Sequence, residues 1–311
     1  MSLTIVMYHY VRDLERSRFP AVKARTLTDF RGQLDFIARH YEVVTAEQVI
    51  EAAGGGEALP ERACWLTFDD GYLDHFTNVF PLLHERGWQG SFFAPAQTIL
   101  EGELLDVNKI HFVLASVPDP ETLIVSLREL LQEERSRGED LLAWEEYWLA
   151  SDQTCHLDSR EVLFVKQMLQ VVLPEAVRTR IVDRLFARFV SSDPRAFAAE
   201  LYISADQLKL MVRSGMFVGS HGNGHYWLNS LPRSDQEREI DLSLRFLESI
   251  GMGRANWIMC YPYGAYNATT LEILASRHCA VGLTTRPGVA DLAADPALEL
   301  PRVDTIELPV G

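Results

Sequence analysis

The sequence has few cysteines and no long apolar segment. The four cysteines are Cys64, Cys155, Cys260 and Cys279. No two of them have C-x-x-C spacing, so neither a zinc knuckle nor a dense disulfide scaffold is indicated. The N-terminal MSLTIVMYHYVRD has no basic region, and its apolar run is too short for a signal peptide. We therefore expect reduced core cysteines and, unless a leader precedes this chain, a cytoplasmic protein with no membrane partner.

Positive charge is also scarce. The 311 residues include 44 acidic and 29 basic side chains, which gives a formal net charge of -15. A nucleic acid would meet overall repulsion, so we do not expect one as a partner. Hydrophobic residues make up 47% of the chain and charged residues 23%, which is ordinary for a folded protein with a sizeable core.

Short runs that are nearly all apolar recur along the chain. They cover residues 3–9, 41–46, 63–68, 90–95, 216–220, 256–262 and 279–285. Such runs are typical of strands that are buried on both faces, as in parallel sheets and barrels. Helical patterns lie between them, and in one of these Phe30, Leu34 and Ile37 recur on a single face. The alternation of strand and helix predicts an α/β fold with a parallel sheet or barrel.

Glycine is nearly absent from the middle of the chain. Between Glu103 and Ser214 the only glycine is Gly138, and long amphipathic patterns such as LIVSLRELLQEERSR dominate. We predict that residues 105–200 form a helical insertion. Residues 1–104 and 201–311 would then form the α/β domain together.

Two adjacent aspartates, Asp69 and Asp70, directly follow the apolar run 63–68. Neighbouring carboxylates raise each other's pKa unless something takes up the charge. In α/β proteins the ligand site lies at the carboxyl ends of the strands. A turn is the simpler explanation, because DDG is good turn sequence. A turn does not, however, require two carboxylates after so apolar a strand.

A second candidate loop, VGSHGNGHYW, contains His221 and His225. Its glycines argue against a helix and favour a loop at a strand end. Two histidines with one carboxylate and an open position form a catalytic zinc arrangement, although H-x-x-x-H alone often occurs by chance. A cation held by one aspartate would neutralise the pair, and the other aspartate could then act as a base toward water.

Two further strand ends carry candidate residues. The segment CYPYGAYN, residues 260–267, contains a rigid Pro-Gly turn. It could aim a backbone N–H at a developing oxyanion, or it could simply be a packed aromatic loop. His9 ends the first apolar run. A single histidine is usually a packed or surface residue, but in a barrel His9 would emerge at the same rim as the other clusters.

In this order, TFDDG, SHGNGH and YPYG resemble the motifs of the NodB-homology polysaccharide deacetylases, carbohydrate esterase family 4. The resemblance implies a distorted (β/α)7-type barrel, and the helical insertion lies outside it. It also implies a divalent metal cofactor, with Zn²⁺ expected and Co²⁺, Ni²⁺ or Mn²⁺ as alternatives.

The resemblance also assigns roles to individual residues. Asp69 would be the general base. The metal ligands would be Asp70, His221 and His225. Tyr263 would offer its backbone N–H to the oxyanion. The candidate substrate-binding residues are Tyr261, Pro262, Arg286 and Arg302.

This sequence departs from the family pattern at two points. Cys260 stands where the third motif usually has an arginine that orients the base. Arg286 and Arg302 are the candidates to replace that arginine, and a surface position is the simpler explanation for each. The late L-x-H strand that supplies a general acid is also missing. The N-terminal IVMYH looks like that strand moved to the front, as in circularly permuted members that act on poly-N-acetylglucosamine. His9 thereby becomes the candidate general acid.

Our leading hypothesis is metal-dependent removal of an N-acetyl group from an amino sugar in a polysaccharide, oligosaccharide or sugar precursor. One alternative is hydrolysis of an O-acetyl ester or of a small linear or cyclic amide. Another is an inactive carbohydrate-binding homologue, which the missing arginine favours. The insertion could be a lid that favours small or nucleotide-linked sugars, an arm that forms a homodimer, or only a stabilising subdomain.

Overall fold

The computed structural model describes residues 2–151 and 159–310. Its contacts divide the chain into two compact units. The barrel unit consists of Met1–Asp13, Ala24–Glu103 and Ala198–Gly311. The helical unit consists of Leu14–Lys23 and Leu104–Phe197, so a short N-terminal segment joins the middle of the chain.

All the strands of the described ranges lie in the barrel unit. They are β1 (Ser2–Tyr8), β2 (Val11–Arg12), β3 (Arg25–Thr26), β4 (Glu42–Val43), β5 (Ala63–Asp69), β6 (Ser91–Ala94), β7 (Phe217–Ser220), β8 (Ile258–Cys260), β9 (Val281–Pro287), β10 (Ala290–Asp291) and β11 (Leu300–Asp304).

The helices occur in both units. They are α1 (Leu27–His40), α2 (Ala46–Ala53), α3 (Phe80–Glu85), α4 (Ala96–Leu100), α5 (Asp106–Ser116), α6 (Pro120–Ser136), α7 (Trp144–Ala150), α8 (Arg160–Gln167), α9 (Glu175–Phe189), α10 (Pro194–Leu201), α11 (Ala205–Arg213), α12 (Arg233–Ser249) and α13 (Ala268–Ser276). Single π-helical turns occur at His75–Val79 and Met168–Val172. Short 3-10 turns occur at Leu228–Ser230, Pro262–Gly264 and Thr305–Glu307. None of the helices in the described ranges is both long and apolar enough to cross a bilayer.

Seven parallel strands close into a barrel in the order β1, β11, β9, β8, β7, β6, β5. The ring closes because β5 pairs with β1 over six residues, from Leu3 opposite Ala63 to Tyr8 opposite Phe68. Every residue of β5 is buried, as the continuous apolar run predicts for a strand covered on both faces. The predicted α/β class and (β/α)7-type barrel are therefore confirmed.

One of the predicted strands lies outside the ring. The run 41–46 forms only the two-residue β4, which pairs with the start of β5, and the ring's seventh strand is β11. The sequence LPRVD of β11 is not an apolar run, because it contains proline, arginine and aspartate. The strand is nevertheless buried from Leu300 to Val303.

The barrel core depends on close packing between neighbouring strands. Trp65 is fully buried, and its Nε1–H donates to the hydroxyl of Ser91 on the adjacent β6 (2.8 Å). Gly219 lets β7 approach β6, since a Cβ at that position would lie 2.4 Å from the Phe93 ring. Outside the barrel, α1 buries the face made by Phe30, Leu34 and Ile37, as its sequence period predicts.

The described cysteines are free thiols. Cys64 and Cys260 are buried, and Cys279 is partly buried. This matches the expectation of reduced core cysteines for these three. Cys155 lies outside the described residues.

The helical unit has its own aromatic core and ion pairs. Phe112 packs edge-on against Phe197 (4.7 Å between ring centroids) and against Phe19 of the N-terminal segment (5.0 Å). Lys109 is almost buried, and its ammonium group bonds to Asp106 (3.0 Å) and Asp183 (2.6 Å). The phenylalanine contact explains why Leu14–Lys23 belongs to this unit.

We expect Trp65→Ala to lower the free energy of unfolding by about 3–5 kcal/mol, because it removes a large buried ring and leaves a cavity. Urea denaturation of the purified protein would measure this change. Ile306→Ala is the control, because Ile306 is 69% exposed, and its effect should stay within about 0.5 kcal/mol. Similar losses in the two variants would contradict the assignment of Trp65 to the core.

Candidate active site

The ends of four barrel strands bring the sequence candidates to one rim. Asp69 is the last residue of β5, and Asp70 follows it. His9 follows β1, His221 follows β7, and Tyr261 follows β8. Because the strands are parallel, their carboxyl ends open on the same side of the barrel.

Three residues of this rim have a left-handed backbone. Asp70 has φ 72°, His225 has φ 58° and Tyr263 has φ 59°. Side chains other than glycine rarely adopt this conformation, and it persists only where the surroundings hold it in place. The turn at DDG is therefore real, but it coexists with a side-chain cluster. Strained residues that gather in this way often mark a functional site.

Asp70, His221 and His225 form a compact set of metal-binding groups. The Nε2 atoms of both histidines lie 3.3 Å from Oδ1 of Asp70. One potential ligand atom from each residue lies within 4.8 Å of the others, and all three side chains are buried. One carboxylate oxygen and two imidazole nitrogens are a donor set that zinc and similar divalent ions accept. These residues therefore fit the metal that the resemblance implies.

Neighbouring groups orient two of these side chains. Nδ1 of His221 lies 2.7 Å from the carbonyl oxygen of Cys260, so it carries the hydrogen and leaves Nε2 free to act as a ligand. The hydroxyl of Tyr72 donates to Oδ2 of Asp70 (2.5 Å), which leaves Oδ1 facing the histidines. Burial would raise the pKa of Asp70, but the two histidines beside its carboxylate outweigh burial and hold the pKa well below its usual range.

The carboxylate of Asp69 is held by a buried arginine. Arg302 is 1% exposed and donates from Nη1 to Oδ1 (2.9 Å) and from Nη2 to Oδ2 (2.7 Å). Its Nε also donates to the carbonyl oxygen of Thr284 (2.8 Å), which fixes the guanidinium plane. Burial would raise the pKa of Asp69, but Arg302 and His221 outweigh it and hold the pKa at about 2. Asp69 is thus an oriented anion at neutral pH.

The other candidate arginine lies elsewhere. Arg286 has a side chain that is 54% exposed, and it donates to Asp295 (2.9 Å) and to the carbonyl oxygen of Glu299 (3.1 Å). Of the two arginines considered from the sequence, Arg302 is the one that contacts Asp69.

His9 lies at the open edge of the cluster. Its Nε2 is 4.0 Å from Oδ2 of Asp69, and its side chain is 43% exposed. Its carbonyl oxygen accepts a hydrogen bond from Nε2 of His75 (2.9 Å). Burial lowers the pKa of His75 to about 4, so its ring is neutral at neutral pH. Nothing near His75 in the sequence indicates a role, because its contact with His9 exists only in the folded barrel.

Tyr263 and Gly264, which both have a left-handed backbone, shape the loop after β8. At Gly264 (φ 67°) a Cβ would lie 2.2 Å from Oγ1 of Thr285. The Tyr263 ring packs edge-on against His225 (4.6 Å) and stacks on Trp227 (4.4 Å, 4° between the planes). Trp227 was not among the sequence candidates, although it lies two residues after His225.

Two other residues of this loop are buried. Tyr261 and Pro262 both have buried side chains. The hydroxyl of Tyr261 donates to the carbonyl oxygen of Leu298 (2.8 Å). Their assignment as substrate-binding residues stays a prediction.

The comparisons with known proteins now identify the family. A family model described as polysaccharide deacetylase matches residues 56–139 and 185–281, which is more than half of the chain. The chain belongs to the polysaccharide deacetylase family. This confirms the resemblance drawn from the sequence motifs, and the matched region includes Asp69, Asp70, His221, His225 and Tyr263.

One member of the family is similar to this chain over a short segment only. A segment of 85 residues is 39% identical to the poly-beta-1,6-N-acetyl-D-glucosamine N-deacetylase of Escherichia coli K12. That segment is 27% of this chain and only 12% of the Escherichia coli enzyme.

Solved structures share the fold over nearly the whole chain. A Streptococcus pyogenes deacetylase in complex with acetate matches with a TM-score of 0.61 and 18% identity, over 98% of this chain and 92% of that one. IcaB from Ammonifex degensii matches with a TM-score of 0.55 and 20% identity, over 97% and 91% of the two chains. At these identities the likeness concerns the fold alone.

Replacement of Arg302 by methionine should lower the free energy of unfolding by about 3–5 kcal/mol, because it leaves the Asp69 carboxylate buried without its cation. Chemical denaturation would measure the loss. Arg286→Met removes an exposed arginine and should change stability little. If the two variants were equally stable, the buried Asp69–Arg302 pair would not contribute to the free energy of unfolding as we expect.

Proposed function

We propose that this family member is a metal-dependent hydrolase that removes an N-acetyl group from an amino sugar. The observation that carries the proposal is the cluster of Asp70, His221 and His225 next to the oriented carboxylate of Asp69. Its place at the carboxyl-terminal rim of a deacetylase-family barrel supports it further.

Asp70, His221 and His225 would hold one divalent cation, with Zn²⁺ expected and Co²⁺, Ni²⁺ or Mn²⁺ as alternatives. Such an ion would supply Lewis acidity next to the acetyl carbonyl. The chain's own contribution is to hold the three donors within reach of each other in a buried setting, with Tyr72 and the Cys260 carbonyl orienting two of them.

Asp69 would act as the general base. It takes the proton from the water that attacks the acetyl carbonyl carbon, and Arg302 keeps its carboxylate in place during the transfer. Arg302 would thus be a positioning residue that performs the task of the motif arginine missing at Cys260. This contact weakens the hypothesis of an inactive homologue, which rested on that missing arginine.

Two other groups would complete the reaction. The backbone N–H of Tyr263 would donate to the oxyanion that develops as water adds to the carbonyl. His9, half-exposed beside Asp69, would give a proton to the nitrogen as the C–N bond breaks. The products are acetate and a free amino sugar.

The substrate class is inferred from the family and from one relative. Poly-β-1,6-N-acetyl-D-glucosamine is named for the Escherichia coli enzyme, to which only a short segment is similar. We propose an N-acetylated glucosamine unit as the substrate here. The cytoplasmic location, the homodimer and the role of the insertion as a lid stay predictions.

The Asp69→Asn variant should lose nearly all turnover, since an amide cannot accept the proton, and should still bind the metal through Asp70, His221 and His225. Acetate release from N-acetylglucosamine oligomers and calorimetric zinc titration would measure the two properties separately. Asp35→Asn, at an exposed aspartate of α1, should behave as wild type. Near-wild-type turnover in Asp69→Asn would show that the base has been misassigned.

The His9→Gln variant should slow amide cleavage by about 10²–10⁴-fold and should affect cleavage of an activated acetyl ester much less. The reason is that an amine needs a proton to leave, whereas a phenolate does not. Parallel assays with an N-acetylated sugar and 4-nitrophenyl acetate would measure the difference. His40→Gln, an exposed histidine on α1, is the control. Equal losses on both substrates would exclude His9 as the acid.

A further inference from the structure

We propose that Glu239 positions the loop that carries His221 and His225, and that it thereby sets the affinity of the site for its divalent cation. The inference rests on the proposed function, because it concerns the metal site of that function. Glu239 lies on α12, outside the barrel strands, and is not a member of the group of potential metal ligands formed by Asp70, His221 and His225.

Glu239 is a buried carboxylate that accepts hydrogen bonds from the loop between the two histidines. Glu239 is only 7% exposed. Its Oε2 accepts from the backbone N–H groups of Gly224 (2.7 Å) and Asn223 (3.1 Å). Its Oε1 accepts from the side-chain amide of Asn223 (3.4 Å). A carboxylate that accepts backbone N–H bonds in a buried setting makes strong, charge-assisted contacts.

The opposite side of the same loop is also held. The carbonyl oxygen of Gly222 accepts from the N–H of Ala96 (3.2 Å), and that of Asn223 accepts from the N–H of Gln97 (3.0 Å). These donors belong to the first turn of α4. The loop is therefore fixed between α4, which satisfies its carbonyl groups, and Glu239, which satisfies its N–H groups.

The two histidines depend on this support to different degrees. Nδ1 of His221 is anchored by the carbonyl oxygen of Cys260. Nδ1 of His225 is buried and has no hydrogen-bond partner among the described residues. No bond at Nδ1 fixes the His225 ring, so its direction depends on its backbone, on packing against His221 and Tyr263, and on Asp70 beside Nε2.

The backbone of His225 would not hold its conformation unaided. Its φ of 58° is unfavourable for a side chain that carries a Cβ. The residue immediately before it, Gly224, is the one that makes the shortest bond to Glu239. Loss of this carboxylate would release the strained backbone, move the His225 nitrogen away from Asp70 and weaken metal binding.

The test compares zinc affinity in Glu239→Ala, Glu239→Gln and a matched control, Glu237→Ala. Glu237 lies on the same helix and pairs with Arg233 at the surface. We expect Glu239→Ala to bind Zn²⁺ about 10–100-fold more weakly, as is typical when a group that orients a metal ligand is removed. Glu239→Gln should lose less, because its amide oxygen can still accept from Gly224. Glu237→Ala should bind as wild type.

Zinc affinity would be measured by competition with a fluorescent chelator on protein whose folding is checked by circular dichroism. Absorption spectra of the Co²⁺-loaded variants would supply a second readout, since a displaced His225 changes the coordination geometry. A merely structural role of Glu239 would lower the thermal stability of the metal-free protein and leave both readouts unchanged.

The outcomes separate this inference from the proposed function. Wild-type affinity and an unchanged Co²⁺ spectrum in both Glu239 variants would overturn the inference alone. If Glu239→Ala does not fold, zinc affinity and the Co²⁺ spectrum are compared between Glu239→Gln and wild type, and wild-type values for both would overturn the inference. A wild-type protein that binds none of Zn²⁺, Co²⁺, Ni²⁺ and Mn²⁺ would overturn the proposed function together with the inference.

Discussion

In the closed barrel, β1 pairs with β5 on one side and with β11 on the other, and the candidate site depends on this arrangement. Pairing with β5 brings His9 to within 4.0 Å of Asp69. The position of β11 beside β1 and β9 lets Arg302 reach the same aspartate across 233 residues of sequence. Without the β1–β5 pairing, an open sheet would leave β1 and β11 at one edge and β5, with Asp69, at the other. Closure is what joins the two ends of the chain at one carboxylate.

The adjacent carboxylates of Asp69 and Asp70 are stabilised by different partners. Asp69 ends the strand in extended backbone and pairs with the buried guanidinium of Arg302. The left-handed backbone of Asp70 turns the second carboxylate toward two imidazoles and the Tyr72 hydroxyl. Burial makes either charge costly when it is unpaired. This division of partners allows one carboxylate to remain available as a base while the other faces the metal-binding groups.

Much of the fold and of the cluster could be predicted from local sequence. Continuous apolar runs marked six of the seven barrel strands, because strands buried on both faces need no polar residues. The motif order placed Asp70, His221 and His225 together, since the carboxyl ends of parallel strands share a rim.

Other features could not be predicted, because they arise from contacts between distant segments. β11 lacked an apolar run because it carries Arg302, whose burial is possible only with Asp69 as its partner. For the same reason nothing local distinguished Arg302 from the exposed Arg286. His75 and Glu239 act on backbone groups of other loops, and their neighbours in sequence give no sign of those contacts. The run 41–46 was apolar enough for a strand, yet only two of its residues pair with β5.

The most direct test of the account is a metal titration of activity. Acetate release from an N-acetylglucosamine oligomer would be followed as Zn²⁺ is added back to protein stripped by a chelator. The account predicts that the stripped protein is inactive, and that activity rises and saturates at one ion per chain. Deacetylation that survives complete removal of the metal, or that never appears at any zinc occupancy, would contradict it.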